Sequence, residues 1–118
     1  MKTLIFGAST NPTRYSYLAM ERLKAYGHEI VAIGGREAEV METKIQTGHP
    51  EINGIHTITM YMREKRQEEH EDYLLSLNPK RIIFNPGAEN RSLYNRAKSQ
   101  GIEVMEACTL VMLNTGQY

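Results

Sequence analysis

The sequence predicts a single α/β domain: an open, doubly wound, mostly parallel sheet of five strands with helices on both faces. Three observations predict it. Short apolar runs of strand length alternate with helix-patterned stretches along the whole chain. Each pair of neighbouring strands is separated by enough residues for a crossover, and right-handed crossovers lead to parallel pairing with both sheet faces covered. The first apolar run also ends in small residues that open directly into a helix, Gly7-Ala8-Ser9-Thr10-Asn11-Pro12. At 118 residues the chain has the length of one domain, residues 1–118.

The elements follow in order. Thr3 to Phe6 is apolar and forms the first strand. A helix is expected from about Arg14 to Tyr26, with Tyr15, Leu18, Ala19, Leu23 and Tyr26 at the spacing of one buried face and Gly27 at the C-cap. Glu29 to Ile33 is the second strand, through the β-branched Ile30, Val31 and Ile33. Gly34 to Gly54 is polar and rich in glycine, which predicts mainly loop, with short extended pieces around Glu39-Val40 and Lys44-Ile45. Thr57 to Met62 is the third strand. The charged Arg63–Asp72 segment then leads into Tyr73, Leu74, Leu75 and Leu77, a helix exposed at its start, packed at its end and stopped by Asn78-Pro79. Arg81 to Phe84 is the fourth strand, closed by Asn85-Pro86-Gly87. Asn90 to Gln100 is a helix packed through Leu93, Tyr94 and Ala97 and ended by Gly101. Glu103 to Met105 is the fifth strand, and Ala107 to Leu113 reads as a half-buried final helix.

Composition narrows the function classes. Lys and Arg number 14 and Asp and Glu number 14, for a formal net charge of zero. A balanced chain has no global field to hold nucleic acid or an anionic membrane. No apolar stretch reaches the ~20 residues of a membrane span. Met1-Lys2-Thr3 leads into a strand rather than a signal peptide, and Cys108 is the one cysteine. The expectation is a soluble, cytoplasmic protein with no disulfide framework and no multi-cysteine metal site.

In a doubly wound sheet the ligand lies beyond the carboxyl ends of the strands, where strand order reverses. That rule selects Gly7 to Arg14, Gly34 to Arg36, Tyr61 to Arg63, and Asn85 to Asn90. Gly7, Ala8 and Ser9 let a phosphate approach the backbone, and the following helix offers free N–H groups and a partial positive charge. This is not the three-glycine dinucleotide fingerprint. It also fits an ordinary turn with Asn11 as N-cap and Pro12 at the first helical position. After the second strand, where an NAD site wants Asp or Glu, the chain has Gly34-Gly35-Arg36. Arg36 suits a ribose phosphate, the 2′-phosphate of NADP or the 3′-phosphate of coenzyme A. Arg14 is a cation at a helix start, a place that favours it only if an anion binds there. Tyr15 and Ser16 are within reach, although Tyr15 also fits the buried face. Asn85-Pro86-Gly87 forms a tight turn in the crevice wall, with Asn90 as helix cap.

No catalytic or metal-binding set is legible. Cys108 lies beside Glu106 without a neighbouring His or Lys and reads as a small, buried thiol. His28, His49, His56 and His70 lack metal-ligand spacing, and the mixed-sign Arg63–Asp72 run reads as a solvated helix face.

Four blocks together resemble the small stand-alone CoA-binding proteins: Gly7 to Pro12, Arg14-Tyr15-Ser16, Ile82 to Asn90, and Gly101 to Leu110. That family is similar to the CoA-binding domain of the succinyl-CoA synthetase α subunit. The resemblance implies a Rossmann-like domain that binds coenzyme A or an acyl-CoA, and the lack of a legible base, nucleophile or metal set points to binding without catalysis. The pyrophosphate would rest on Gly7, Ala8, Ser9 and Asn11 and on the first helix at Arg14, Tyr15 and Ser16. Gly34, Gly35 and Arg36, then Tyr61 and Met62, then Asn85, Pro86 and Gly87 would line the remainder. Gly34-Gly35-Arg36 and Arg63-Glu64 differ from the Asn-Pro turns of many relatives. Two other readings stand beside this one: an NADP-dependent oxidoreductase, and an interaction module with a vestigial nucleotide site. A homo-oligomer or a protein partner is compatible with any of the three.

Overall fold

A computed structural model describes the whole chain, Met1 to Tyr118. Its centre is a seven-stranded sheet in the order β3-β4-β2-β1-β5-β6-β7. The strands are β1 (Thr3–Ala8), β2 (Ile30–Gly34), β3 (Ala38–Val40), β4 (Thr43–Gln46), β5 (Thr57–Met60), β6 (Arg81–Phe84) and β7 (Glu103–Glu106). The sheet is mixed, since β3 runs antiparallel to β4. The expectation of five strands in a mostly parallel sheet is therefore corrected. The two additional strands lie in the stretch expected to be mainly loop, at the short extended pieces expected within it around Glu39-Val40 and Lys44-Ile45.

Their physical origin is a tight hairpin. Met41 and Glu42, between β3 and β4, both adopt the left-handed region, with φ of 51° and 63°. A two-residue hairpin needs positive φ at both central positions, and glycine or asparagine normally supplies it. Neither residue carries that signal. Support comes from Lys24 on the neighbouring helix, whose Nζ donates to the Met41 carbonyl and to Thr43 Oγ1.

The helices are α1 (Tyr15–Ala25), α2 (Glu64–Gln67), α3 (Glu71–Ser76), α4 (Arg91–Ser99) and α5 (Thr109–Asn114), with a 3-10 turn at Glu68–His70. The charged segment after β5 is thus three short pieces rather than one helix. Side chains alternate across the sheet. Leu4 and Phe6 join Ile58, Leu74, Ile82 and Leu93 on one face. Ile5 joins Met20, Leu23, Ala32 and Leu113 on the other. On that second face α1 and α5 meet, and Arg22 Nη1 donates to Asn114 Oδ1 at 2.8 Å.

The face of α1 differs from the expected one. Ser16, Ala19, Met20 and Leu23 are buried, while Tyr15 and Tyr26 are exposed at 70% and 53%. The helix begins one residue later than expected and ends before Tyr26, so Tyr15 is its first residue and Tyr26 its C-cap. Its C-terminus closes as the Gly27 position predicted: Gly27 N–H donates to Lys24 O and His28 N–H to Leu23 O, with Gly27 at φ +84°. Asn90 caps α4 by accepting the Leu93 N–H at 3.3 Å.

Candidate functional site

The chain enters the sheet at its middle, in β1, moves outward through β2 to the edge strand β3, and turns back to fill the gap with β4. It then crosses back to β5 and continues through β6 to β7. Strand order therefore reverses between β1 and β5, and the connections leaving these two strands diverge to leave a crevice. A cleft of about 580 Å³ opens there, and a smaller depression of about 300 Å³ adjoins it along Ala8, Ser9 and Gly35.

The floor is built by close backbone approach. At Gly7 the register of β1 against β2 shifts between Phe6 and Ala8, and Gly7 takes φ +101°. A Cβ here would stand 3.0 Å from the Tyr61 carbonyl carbon and from the Met62 amide nitrogen. Only glycine allows β1 to bulge while the chain leaving β5 passes this near. Beyond Ala8, Ser9 Oγ accepts the Asn11 N–H at 3.0 Å, and Asn11 Oδ1 accepts the Thr13 N–H at 3.0 Å. These bonds hold the loop short of the helix. Asn11 is consequently not the N-cap of α1, and Pro12 is not its first residue. Arg14 occupies the cap position, and its side chain caps nothing. The first N–H groups of α1 are left without a side-chain acceptor, and its first turn carries no acidic residue.

Gly7, Ala8, Ser9, Arg14, Tyr15 and Ser16 line the cleft from the β1 side. Gly35 lines it from the end of β2, Tyr61 and Met62 from β5, and Pro86 and Gly87 from β6. Tyr15, assigned on periodicity to the buried face, stands exposed at the mouth instead. Arg36 faces the adjoining depression with Thr10 and Ile45.

Asn11, Gly34 and Asn85 line neither space. Gly34 is packed beneath the cleft, where a Cβ would come within 2.4 Å of the Ala8 carbonyl oxygen. Asn85 is a buried bracket. Its Nδ2 donates to Thr59 Oγ1 at 2.8 Å and to the Met60 carbonyl at 2.9 Å, and its Oδ1 accepts the Thr109 N–H at 2.9 Å. It fixes the end of β6 against β5 and the start of α5. Nearby, the Tyr61 hydroxyl is buried without a hydrogen bond. Thr59 and Thr109 approach it but bond each other at 2.8 Å, and burial pushes the phenol upward in pKa.

Two lining residues escaped the sequence reading: Arg63 and Arg66. They belonged to the run expected to be a solvated face. Gln67 is the reason they face the cleft. It is fully buried, and its Nε2 donates to the carbonyls of Met62 at 2.6 Å and Ala88 at 2.8 Å. Its Oε1 accepts from Asn90 Nδ2 at 3.0 Å. Asn90 Nδ2 also donates to Glu71, which is buried and accepts from Ser92 and Arg96. A polar Gln67 in the core and a buried Glu71 carried no period-based signal, and together they correct the solvated-face expectation.

The electrostatics are one-sided. Arg14, Arg63 and Arg66 line the cleft and Arg36 the depression, while no Asp or Glu lines either. None of the four lies within 4.0 Å of a carboxylate; the protein's five ion pairs lie elsewhere. In a chain of zero net charge, this is a local concentration of unpaired guanidinium groups above a helix start. It can hold a ligand carrying several separated anionic groups.

Comparison with known proteins gives the family and the fold. No curated protein matches the sequence. The crystal structure of an uncharacterized protein is similar throughout, with 46% identity and a TM-score of 0.96 over 99% of this chain and 97% of that one. A Thermus thermophilus structure superposes with a TM-score of 0.86 at 15% identity, covering 99% of this chain and 90% of its own. A hypothetical protein from Pyrococcus horikoshii OT3 gives 0.86 at 18% identity, covering 96% and 81%. At such identities these last two show the fold alone. The family model described as a CoA binding domain matches residues 1–114. With a match that spans nearly the whole chain, the protein belongs to the CoA-binding domain family.

Proposed function

We propose that this protein binds coenzyme A or an acyl-CoA in the cleft, without catalysing a reaction on it. The observation that carries the reading is the set of unpaired arginines around the uncapped start of α1. The diphosphate rests on the Gly7–Ser9 backbone and the first N–H groups of α1, with Arg14 beside it. Ser16, buried but lining the cleft, supplies a hydroxyl donor. The thiol arm runs from there past Tyr61 and Met62 towards Pro86 and Gly87.

The residues fit such a ligand in kind. Coenzyme A carries charge on a diphosphate and on a ribose phosphate, and the cationic groups are distributed along the cleft and its side depression. A bare NAD ribose asks for a carboxylate at the end of β2, and Gly34-Gly35-Arg36 supplies none.

A thermal-shift titration with CoA, dephospho-CoA, NADP and NAD tests the reading, because a ligand of the folded state raises the melting temperature by mass action. Stabilisation by CoA above the other three is expected. Stabilisation by NADP alone would transfer the protein to the oxidoreductase reading. No shift with any of them would leave a nucleotide fold without a nucleotide.

A further inference from the structure

Arg66 reaches across the cleft. It grows from α2, on the β5 side, yet its Nη2 lies 3.7 Å from where a Cβ on Gly35 would stand, at the end of β2. The reach is built in. Gln67 is bolted into the core through the Met62 and Ala88 carbonyls. Successive side chains on a helical turn point about 100° apart, so residue 66 is turned out of the core. Gly34-Gly35 puts no side chain in its way. At that point the guanidinium has no carboxylate and no hydrogen-bond acceptor from the protein.

Resting on the nucleotide reading above, we propose that Arg66 is the specificity-determining receptor for a phosphomonoester on the ligand's ribose, with Arg36 in a supporting place. In a doubly wound site the diphosphate lies at the β1–α1 turn, and the ribose beside it extends to the end of β2. The ribose phosphate therefore arrives next to Gly35, between the Arg66 guanidinium in the cleft and Arg36 in the adjoining depression. A planar guanidinium meets a phosphate through two parallel N–H···O bonds. Because Arg66 comes from the opposite wall, the same contact ties α2 to the end of β2 across the bound nucleotide. The sequence reading placed this duty on Arg36, which follows β2 directly; the side chain that occupies the space over Gly35 belongs to Arg66.

The test is calorimetric titration of CoA and dephospho-CoA into the wild-type chain and into Arg66→Gln, Arg66→Lys and Arg36→Gln. Arg66 is exposed, so its variants keep the fold. Arg66→Gln is expected to weaken CoA about tenfold or more, the loss of a charge-assisted bond, and to leave dephospho-CoA within about twofold. Arg66→Lys should recover part of the loss, and Arg36→Gln should cost less than Arg66→Gln. Equal weakening of both ligands by Arg66→Gln, no weakening, or a larger effect at Arg36 would overturn the assignment while leaving CoA binding intact. A wild-type chain that binds neither ligand would instead overturn the nucleotide reading, and this inference with it.

Discussion

Gly34 stands directly under the Ala8 carbonyl: a Cβ added to it would lie 2.4 Å from the Ala8 oxygen and 3.0 Å from the Ile45 side chain. Two parallel strands are thus drawn together at their carboxyl ends, where the turn from β1 towards α1 begins. Gly34→Ala forces backbone against backbone, and no side-chain rotation relieves it. We expect a loss of about 2 kcal/mol, as for other overpacked cores. Gly35→Ala is the control, since its Cβ would meet only Arg66, at an ordinary 3.7 Å. Urea denaturation of both variants checks the contrast; equal midpoints would mean that β1 and β2 separate at little cost.

Gln67 ties the turn after β5 to the turn after β6 by donating to the Met62 and Ala88 carbonyls. Gln67→Leu is close in volume but leaves both carbonyls and the Asn90 amide short of a partner. Unsatisfied buried groups of this kind cost about 1–3 kcal/mol each. The expected outcome is a fall of at least about 2 kcal/mol in unfolding free energy, together with weaker CoA binding. Loss of stability with unchanged affinity would show that α2 holds its arginines in place without this bracket.

The strand–turn–helix at Gly7 and the sheet around it were legible because local pattern and tertiary structure coincide there. An apolar run, small residues and a helix in succession leave few alternatives. What remained hidden had a non-local cause. Tyr15 matched the helical period but lies at a helix end, where the period no longer decides burial. Gln67 and Glu71 look solvent-bound in sequence and are buried because Met62, Ala88, Asn90 and Ser92 satisfy them. Arg63 and Arg66 became cleft residues only through that burial.

The extended pieces at Glu39-Val40 and Lys44-Ile45 were legible, but their pairing as the β3–β4 hairpin was not, because Met41 and Glu42 carry left-handed backbone without the usual residues. A left-handed conformation costs roughly 1–2 kcal/mol for an L-residue, and glycine avoids most of that while losing more entropy on folding. Met41→Asn with Glu42→Gly restores the preferred pair for this turn. The double variant should be more stable by about 1 kcal/mol, read as a higher melting temperature with unchanged CoA affinity. A lower melting temperature would mean that contacts of the Met41 side chain outweigh the backbone strain.

Acid should weaken the fold through its histidines. His28, His56 and His70 all lie below the ordinary imidazole value of 6.5, first because burial disfavours the charged ring. Positive neighbours add to this, including the amino terminus and Arg81 at His28, and Arg81 and Lys80 at His56. Glu69 opposes it at His70 without reversing it. The unfolded chain therefore takes up protons near 6.5 while the folded chain still refuses them. Stability rises with pH wherever the unfolded state binds more protons. The histidine contribution is fully present above about pH 7, is lost as the pH falls through 6.5, and levels off below the folded-state values. Urea midpoints at pH 7.5 and 5.5 should differ, with the lower value at pH 5.5. Replacing the three histidines by glutamine should flatten the difference. A midpoint that rises on acidification would show that at least one of these rings gains an anionic partner in the folded protein.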